Sequence, residues 1–84
     1  MKITKLTTKE QFEKLKRWDL IIVEWSDYSI KHHDDMKRIM TYRIYENKTR
    51  LEEIICKLKN NHYFNYDLYL KGQSHALDVY KIEE

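Results

Sequence analysis

Eighty-four residues suffice for one α+β domain spanning 1–84, and a chain this short buries only about 60–65% of the surface its unfolded form exposes. With 42% hydrophobic and 36% charged residues it is too apolar for disorder, while its longest aliphatic run, Leu20-Ile21-Ile22-Val23, falls far short of a membrane helix of roughly 18–20 residues. The single cysteine, Cys56, excludes an intrachain disulfide, and MKITKLTTKEQ carries no apolar stretch behind its lysines as a secretory signal would, so a cytoplasmic protein is expected.

Residues 2–6 alternate weakly and predict a short strand. Thr7 and Thr8, with Glu10 and Gln11 three residues further on, have capping-box spacing and predict a helix over 8–17 with Phe12 and Leu15 inward. The run 20–26 is apolar on both parities over its first four residues, as a central strand covered on both faces would be. Residues 27–37 fit neither period and take no assignment. From about 38 to 46 alternation returns, with Met40, Tyr42 and Ile44 on one side and Ile39, Thr41, Arg43 and Tyr45 on the other, predicting a strand.

Thr49 reads as the N-cap of a helix over 50–60, in which Leu51, Ile54, Ile55 and Leu58 fall at i, i+3, i+4 and i+7. On that helix Cys56 points away from the apolar stripe and is expected at the surface. Residues 62–70 predict a strand, 71–74 a turn around the only glycine, and 75–82 a returning strand that puts Leu77 and Val79 together. The predicted order is β-α-β-β-α-β-β, ferredoxin-like order plus a C-terminal hairpin strand. It implies a mainly antiparallel sheet in a two-layer sandwich, both helices on one face.

Helices over the face carrying Met40, Ile44, Phe64, Leu68 and Val79 would leave Arg43, Tyr45, Tyr63, Tyr69 and Tyr80 on the other. Tyr and Arg are enriched at binding hot spots because they bring large contact area with few rotatable bonds and a polar end. Cross-strand aromatic pairing or burial in a homodimer would explain the same tyrosines without a foreign partner. The basic segment Lys37, Arg38, Arg43, Lys48 and Arg50 adds binding candidates that would suit nucleic acid. Net charge is only +2, but successive blocks 1–17, 18–35, 36–50 and 51–84 carry +4, −4, +4 and −2, a pattern able to steer a charged partner.

One RNA-binding module of similar length stacks bases on sheet aromatics, but its central strand reads K/R-G-F/Y-G/A-F-V-x-F/Y, and residues 37–44 here (KRIMTYRI) contain no glycine. His32-His33-Asp34-Asp35, with Glu24 and Asp27, is the one cluster with metal or acid-base potential. Adjacent histidines on a strand point to opposite faces and no further ligand set follows, so a solvated loop is expected there. The phosphate-loop, G-x-S-x-G, H-E-x-x-H and C-x-x-C patterns are all missing, and neither cofactor nor catalytic residue is expected.

Lys, Ile, Asn and Tyr, all drawn from AT-rich codons, make up 32 of the 84 residues. The resulting expectation is a small non-enzymatic binding protein, a phage or mobile-element inhibitor of a host nucleic-acid-processing or defence protein such as a CRISPR effector. Its expected partner is a host protein or ribonucleoprotein. The alternative is a nucleic-acid-binding accessory or regulatory protein. Monomer and homodimer both fit the composition.

Overall fold

Local capping decides where the helices begin. In the computed structural model, which describes residues 1–48, 53–57 and 61–84, strand β1 (Lys2–Lys5) leads into α1 (Lys9–Glu13) through a capping box. Gln11 N–H donates to Thr8 Oγ1 (3.3 Å), and Gln11 Oε1 accepts from the backbone N–H groups of Thr8 (3.1 Å) and Thr7 (2.7 Å). These bonds satisfy donors that a helix start otherwise leaves open. Strand β2 (Leu20–Trp25) follows, then α2 (Asp27–His32), whose N-cap Ser26 accepts from Ser29 N–H (3.4 Å). The stretch that fits neither period thus holds one short helix.

Strands β3 (Ile39–Lys48), β4 (Glu53–Lys57) and β5 (Asn61–Asn65) come next, then α3 (Tyr66–Leu70) and β6 (Ala76–Glu83). The order across the sheet is β1-β6-β2-β3-β4-β5, and every described pairing is antiparallel. Strands β2 to β5 form a meander, and β6 returns to slot between β2 and β1. The chain is therefore a small α+β fold built on an antiparallel sheet.

Three expectations fail for identifiable reasons. In place of the helix over 50–60 the described residues 53–57 form β4, paired on both sides. Ile54 and Cys56, two apart, are both buried, the spacing of a strand. Residues 49–52 and 58–60 of that predicted helix lie outside the described residues. The predicted strand 62–70 stops at Asn65, whose side chain accepts from Leu68 N–H (3.1 Å) and so caps α3. Gly72, at φ 73°, ends that helix, with its N–H on the Tyr69 carbonyl (3.0 Å). Leu77 does not join Val79: Asp78 sits opposite Glu24 and Ala76 opposite Trp25, which leaves Leu77 as the bulged residue, 49% exposed. The observed order, β-α-β-α-β-β-β-α-β, is not the ferredoxin-like one.

The core joins Ile21, Val23, Tyr42, Ile44, Ile54, Cys56, Phe64 and Val79 of the sheet to Leu6, Phe12, Leu15 and Tyr66. Phe12 is its centre: the Tyr66 ring stacks on it at 5.1 Å, and Phe64 and Tyr69 lie at 6.0 and 5.6 Å. Trp25 packs against the same cluster and donates from Nε1 to Tyr42 Oη (3.1 Å).

Tyr69, expected on the bare side of the sheet, belongs instead to α3 and packs, partly buried, against the core. Its hydroxyl donates to the Leu6 carbonyl (3.0 Å) and accepts from Val79 N–H (3.2 Å), bridging the β1–α1 connection to β6. Burial raises the pKa of its phenol. Tyr69→Phe strips both backbone groups of this partner and should cost about 1–3 kcal/mol in urea unfolding, with little change in the denaturant slope.

Cys56 is also inside, 2% exposed, because on β4 it faces the core. Burial disfavours the thiolate and pushes its pKa from 9.0 up to about 12. Below pH 9 the thiol is protonated in folded and unfolded chains alike. Between 9 and about 12 only the unfolded chain releases the proton, so the group lowers stability as pH rises, by at most about 1.4 kcal/mol per pH unit. Native protein at pH 8 should react with a disulfide reagent at the rate of opening, and Cys56→Ala should flatten the alkaline loss of stability.

Candidate functional site

Residues directly opposed in an antiparallel sheet project to the same side. The register therefore aligns Ile3, Ile82, Leu20 and Arg43 in one row, and Lys5, Tyr80, Ile22 and Thr41 in the next. A third row carries Asp78, Glu24 and Ile39. All project away from the side that supplies Ile21, Val23, Ile44 and Val79 to the core, and none is itself buried. Leu20, Ile22, Tyr80 and Ile82 are half-buried by their neighbours alone, while Ile3 and Ile39 are 52% and 59% exposed. Strand β2 is apolar on both parities, yet only one of its faces joins the described core.

Charged groups rim this patch. Lys5 Nζ reaches Asp78 Oδ1 (2.9 Å), and that hydrogen bond, with the Asp78 charge, raises the Lys5 ammonium pKa. Arg43 donates from Nη1 to Glu84 Oε1 (2.7 Å) and to the Trp18 carbonyl (3.2 Å). Both pairs are solvent-exposed and add little stability, but they set where charge stands beside the apolar centre.

Of the residues expected on this face, Arg43 and Tyr80 are there. Tyr63 projects to the same side, 66% exposed, but from β5, four strand spacings or roughly 19 Å from Tyr80. Tyr69 is partly buried against the core on α3. Tyr45 is the extra residue of a β-bulge, since Ile44 sits opposite Cys56 and Glu46 opposite Ile55, and its ring meets Trp18 and the Arg17 guanidinium. Lys37 and Arg38 precede β3, about 17 Å from Arg43 at 3.4 Å per residue. Arg38 pairs with Asp27, which raises its pKa, so of these two cations it is the engaged one. The patch at Ile3, Leu20, Ile22 and Ile82 was not expected. Its signal is the double-parity run at 20–23, whose second face needed a cover that no other described element supplies.

Tyr45 meets Trp18 edge-on at 6.2 Å, and the Arg17 guanidinium stands 5.0 Å from both ring centroids. Trp18 has φ 75°, a left-handed conformation costing a bulky residue about 1–2 kcal/mol. Its N–H donates to the Ile44 carbonyl (2.6 Å) and its carbonyl accepts from Arg43, which hold it there with the indole 52% exposed. A recess of about 460 Å³ lies beside it, lined by Leu15, Arg17, Tyr45 and Glu46.

At the other end of the sheet a cleft of about 580 Å³ has Trp25, Met36, Phe64 and Leu68 in its lining, with His33, Asp35 and His75 among the polar residues. Tyr28 stands between His32 (4.2 Å) and His75 (4.6 Å). Ser26 Oγ lies 3.5 Å from His75 Nδ1, but it already serves as the α2 cap, and the contact is long for a nucleophile and its base. His32, His33, Asp34 and Asp35 are exposed, and among the described residues no group of three or more His, Cys, Asp or Glu side chains is placed to hold a metal ion. Among the described residues, no helix is long and apolar enough to cross a membrane. No family model, curated protein or solved structure matches the chain.

Proposed function

We propose that this chain is a small, cytoplasmic, non-enzymatic binding protein that docks the uncovered side of its sheet on another protein. The described core lies on one side of the sheet, and the other side presents Leu20, Ile22, Tyr80 and Ile82 between the Lys5–Asp78 and Arg43–Glu84 pairs. The carrying observation is that, among the described residues, the apolar centre of this face packs into no core cluster. A contiguous apolar patch rimmed by charge is the common form of a protein contact surface. Small size and AT-rich composition support reading it as a phage or mobile-element inhibitor of a host nucleic-acid-processing or defence protein, a CRISPR effector being one such target.

The test is capture by tagged protein from a low-GC Gram-positive lysate treated with nuclease. Retention of a stoichiometric protein, whose nucleic-acid-processing activity then falls on addition of the chain, is the expected result. Capture that disappears with nuclease, or falls steeply with salt, would transfer the assignment to a nucleic-acid-binding accessory protein. Light scattering that shows a stable dimer, abolished by Ile22→Glu, would instead assign the face to self-association.

A further inference from the structure

We infer that the corner formed by Arg17, Trp18 and Tyr45 is an anchor for an acidic side chain of a protein partner, a point that builds on the binding role proposed above and names its chemistry. The connection from α1 to β2 reads Lys14-Leu15-Lys16-Arg17-Trp18, and the cations Lys14, Lys16 and Arg17 are exposed. Among the described residues none of the three makes an ion pair, whereas Arg43 has Glu84 and Lys81 has Asp19. Arg17 is held instead between two rings at 5.0 Å, an arrangement that fixes a guanidinium while leaving its N–H fork for an external carboxylate.

Two further features mark the corner as built for contact. Trp18 keeps a left-handed backbone that glycine or asparagine would adopt at lower cost, and the strain is spent on holding an exposed indole in place. The recess along Leu15 and Tyr45 can receive the aliphatic stem of a glutamate whose carboxylate meets Arg17. Trp, Tyr and Arg are the three residue types most enriched where binding energy concentrates. Carboxylate is favoured over a nucleic-acid phosphate because the recess beside Leu15 and Tyr45 takes an aliphatic stem, which a glutamate brings with its carboxylate and a phosphodiester does not.

The experiment uses the full chain carrying Trp25→Phe, so that Trp18 is the sole tryptophan, with its fold verified by circular dichroism. Poly-L-glutamate and an oligothymidylate are titrated separately at low salt while Trp18 emission is followed. Saturable binding of poly-L-glutamate is expected, weakened about tenfold or more by Arg17→Gln. Lys37→Gln, at the far end of β3, should change it less than about threefold. Absence of a response to poly-L-glutamate, or equal losses in the two variants, overturns the inference, the latter because diffuse charge attraction would then explain the binding. Tighter, Arg17-dependent binding of the oligothymidylate also overturns it, in favour of nucleic acid. Any of these failures leaves the sheet-face contact standing, since that is read independently through Ile22→Glu.

Discussion

Phe12→Ala is expected to lower the unfolding free energy by about 3–5 kcal/mol, the usual cost of deleting a fully buried aromatic ring. A domain of 84 residues has roughly 4–12 kcal/mol in total, so the variant should be partly unfolded at 37 °C. The effect is large because α1 is only five residues long and has little stability of its own. Phe12, 0% exposed, is its one buried residue, and it binds the helix to Phe64 on β5 and to Tyr66 and Tyr69 on α3. Urea unfolding followed by far-ultraviolet circular dichroism checks this. A loss under about 1 kcal/mol would mean that the rings repack around the void.

Ile22→Glu should produce the opposite pattern, with stability little changed and partner binding lost. Ile22 is half-buried at the middle of the uncovered face, beside Tyr80 and Thr41, where the unbound protein leaves a glutamate carboxylate in water. Thermal midpoints should therefore move by only a few degrees. In a complex the same carboxylate would be desolvated without a partner, a cost of several kcal/mol that weakens binding by a hundredfold or more on the order expected for a buried unpaired charge. Tyr80→Ala, which removes area without adding charge, should weaken binding less. Binding by isothermal calorimetry with the captured partner checks both, and equal affinity for Ile22→Glu and the unaltered chain would remove this face from the contact.

How much of this is legible in the residues depends on whether local chemistry or pairing decides the outcome. The Thr8–Gln11 capping box is local, and the start of α1 follows from it directly. The alternation in β3 is likewise plain, and Tyr42 and Ile44 bury as the pattern implies, whereas β2 reads as apolar on both parities and buries only Ile21 and Val23. Residues 50–60 mislead because Leu51, Ile54, Ile55 and Leu58 satisfy a helical stripe, whereas the pairing of β4 with both β3 and β5 selects the extended form and buries Ile54 and Cys56. No short window contains that information. Asn65 is a similar case: strand alternation runs past it, and only its cap on Leu68 shows why the chain turns into α3.

The candidate surface was legible in outline and shifted in detail. Arg43 and Tyr80 lie on the bare face, but Tyr69 left it because its hydroxyl has two backbone partners in the interior. Tyr45 sits at a bulge, which interrupts its row on the face, and bulges leave no mark in an alternating sequence. The apolar centre contributed by β1, β2 and β6 depends on β6 returning between β1 and β2, which is a property of topology.

The sheet-face contact is tested most directly by hydroxyl-radical footprinting of the chain alone and with its captured partner. Leu20, Ile22, Tyr80 and Ile82 should be protected in the complex, while Tyr28 and Leu77, exposed elsewhere, should label as before. Unchanged labelling of the first four, with protection confined to Tyr28 or Leu77, would contradict the assignment of this face.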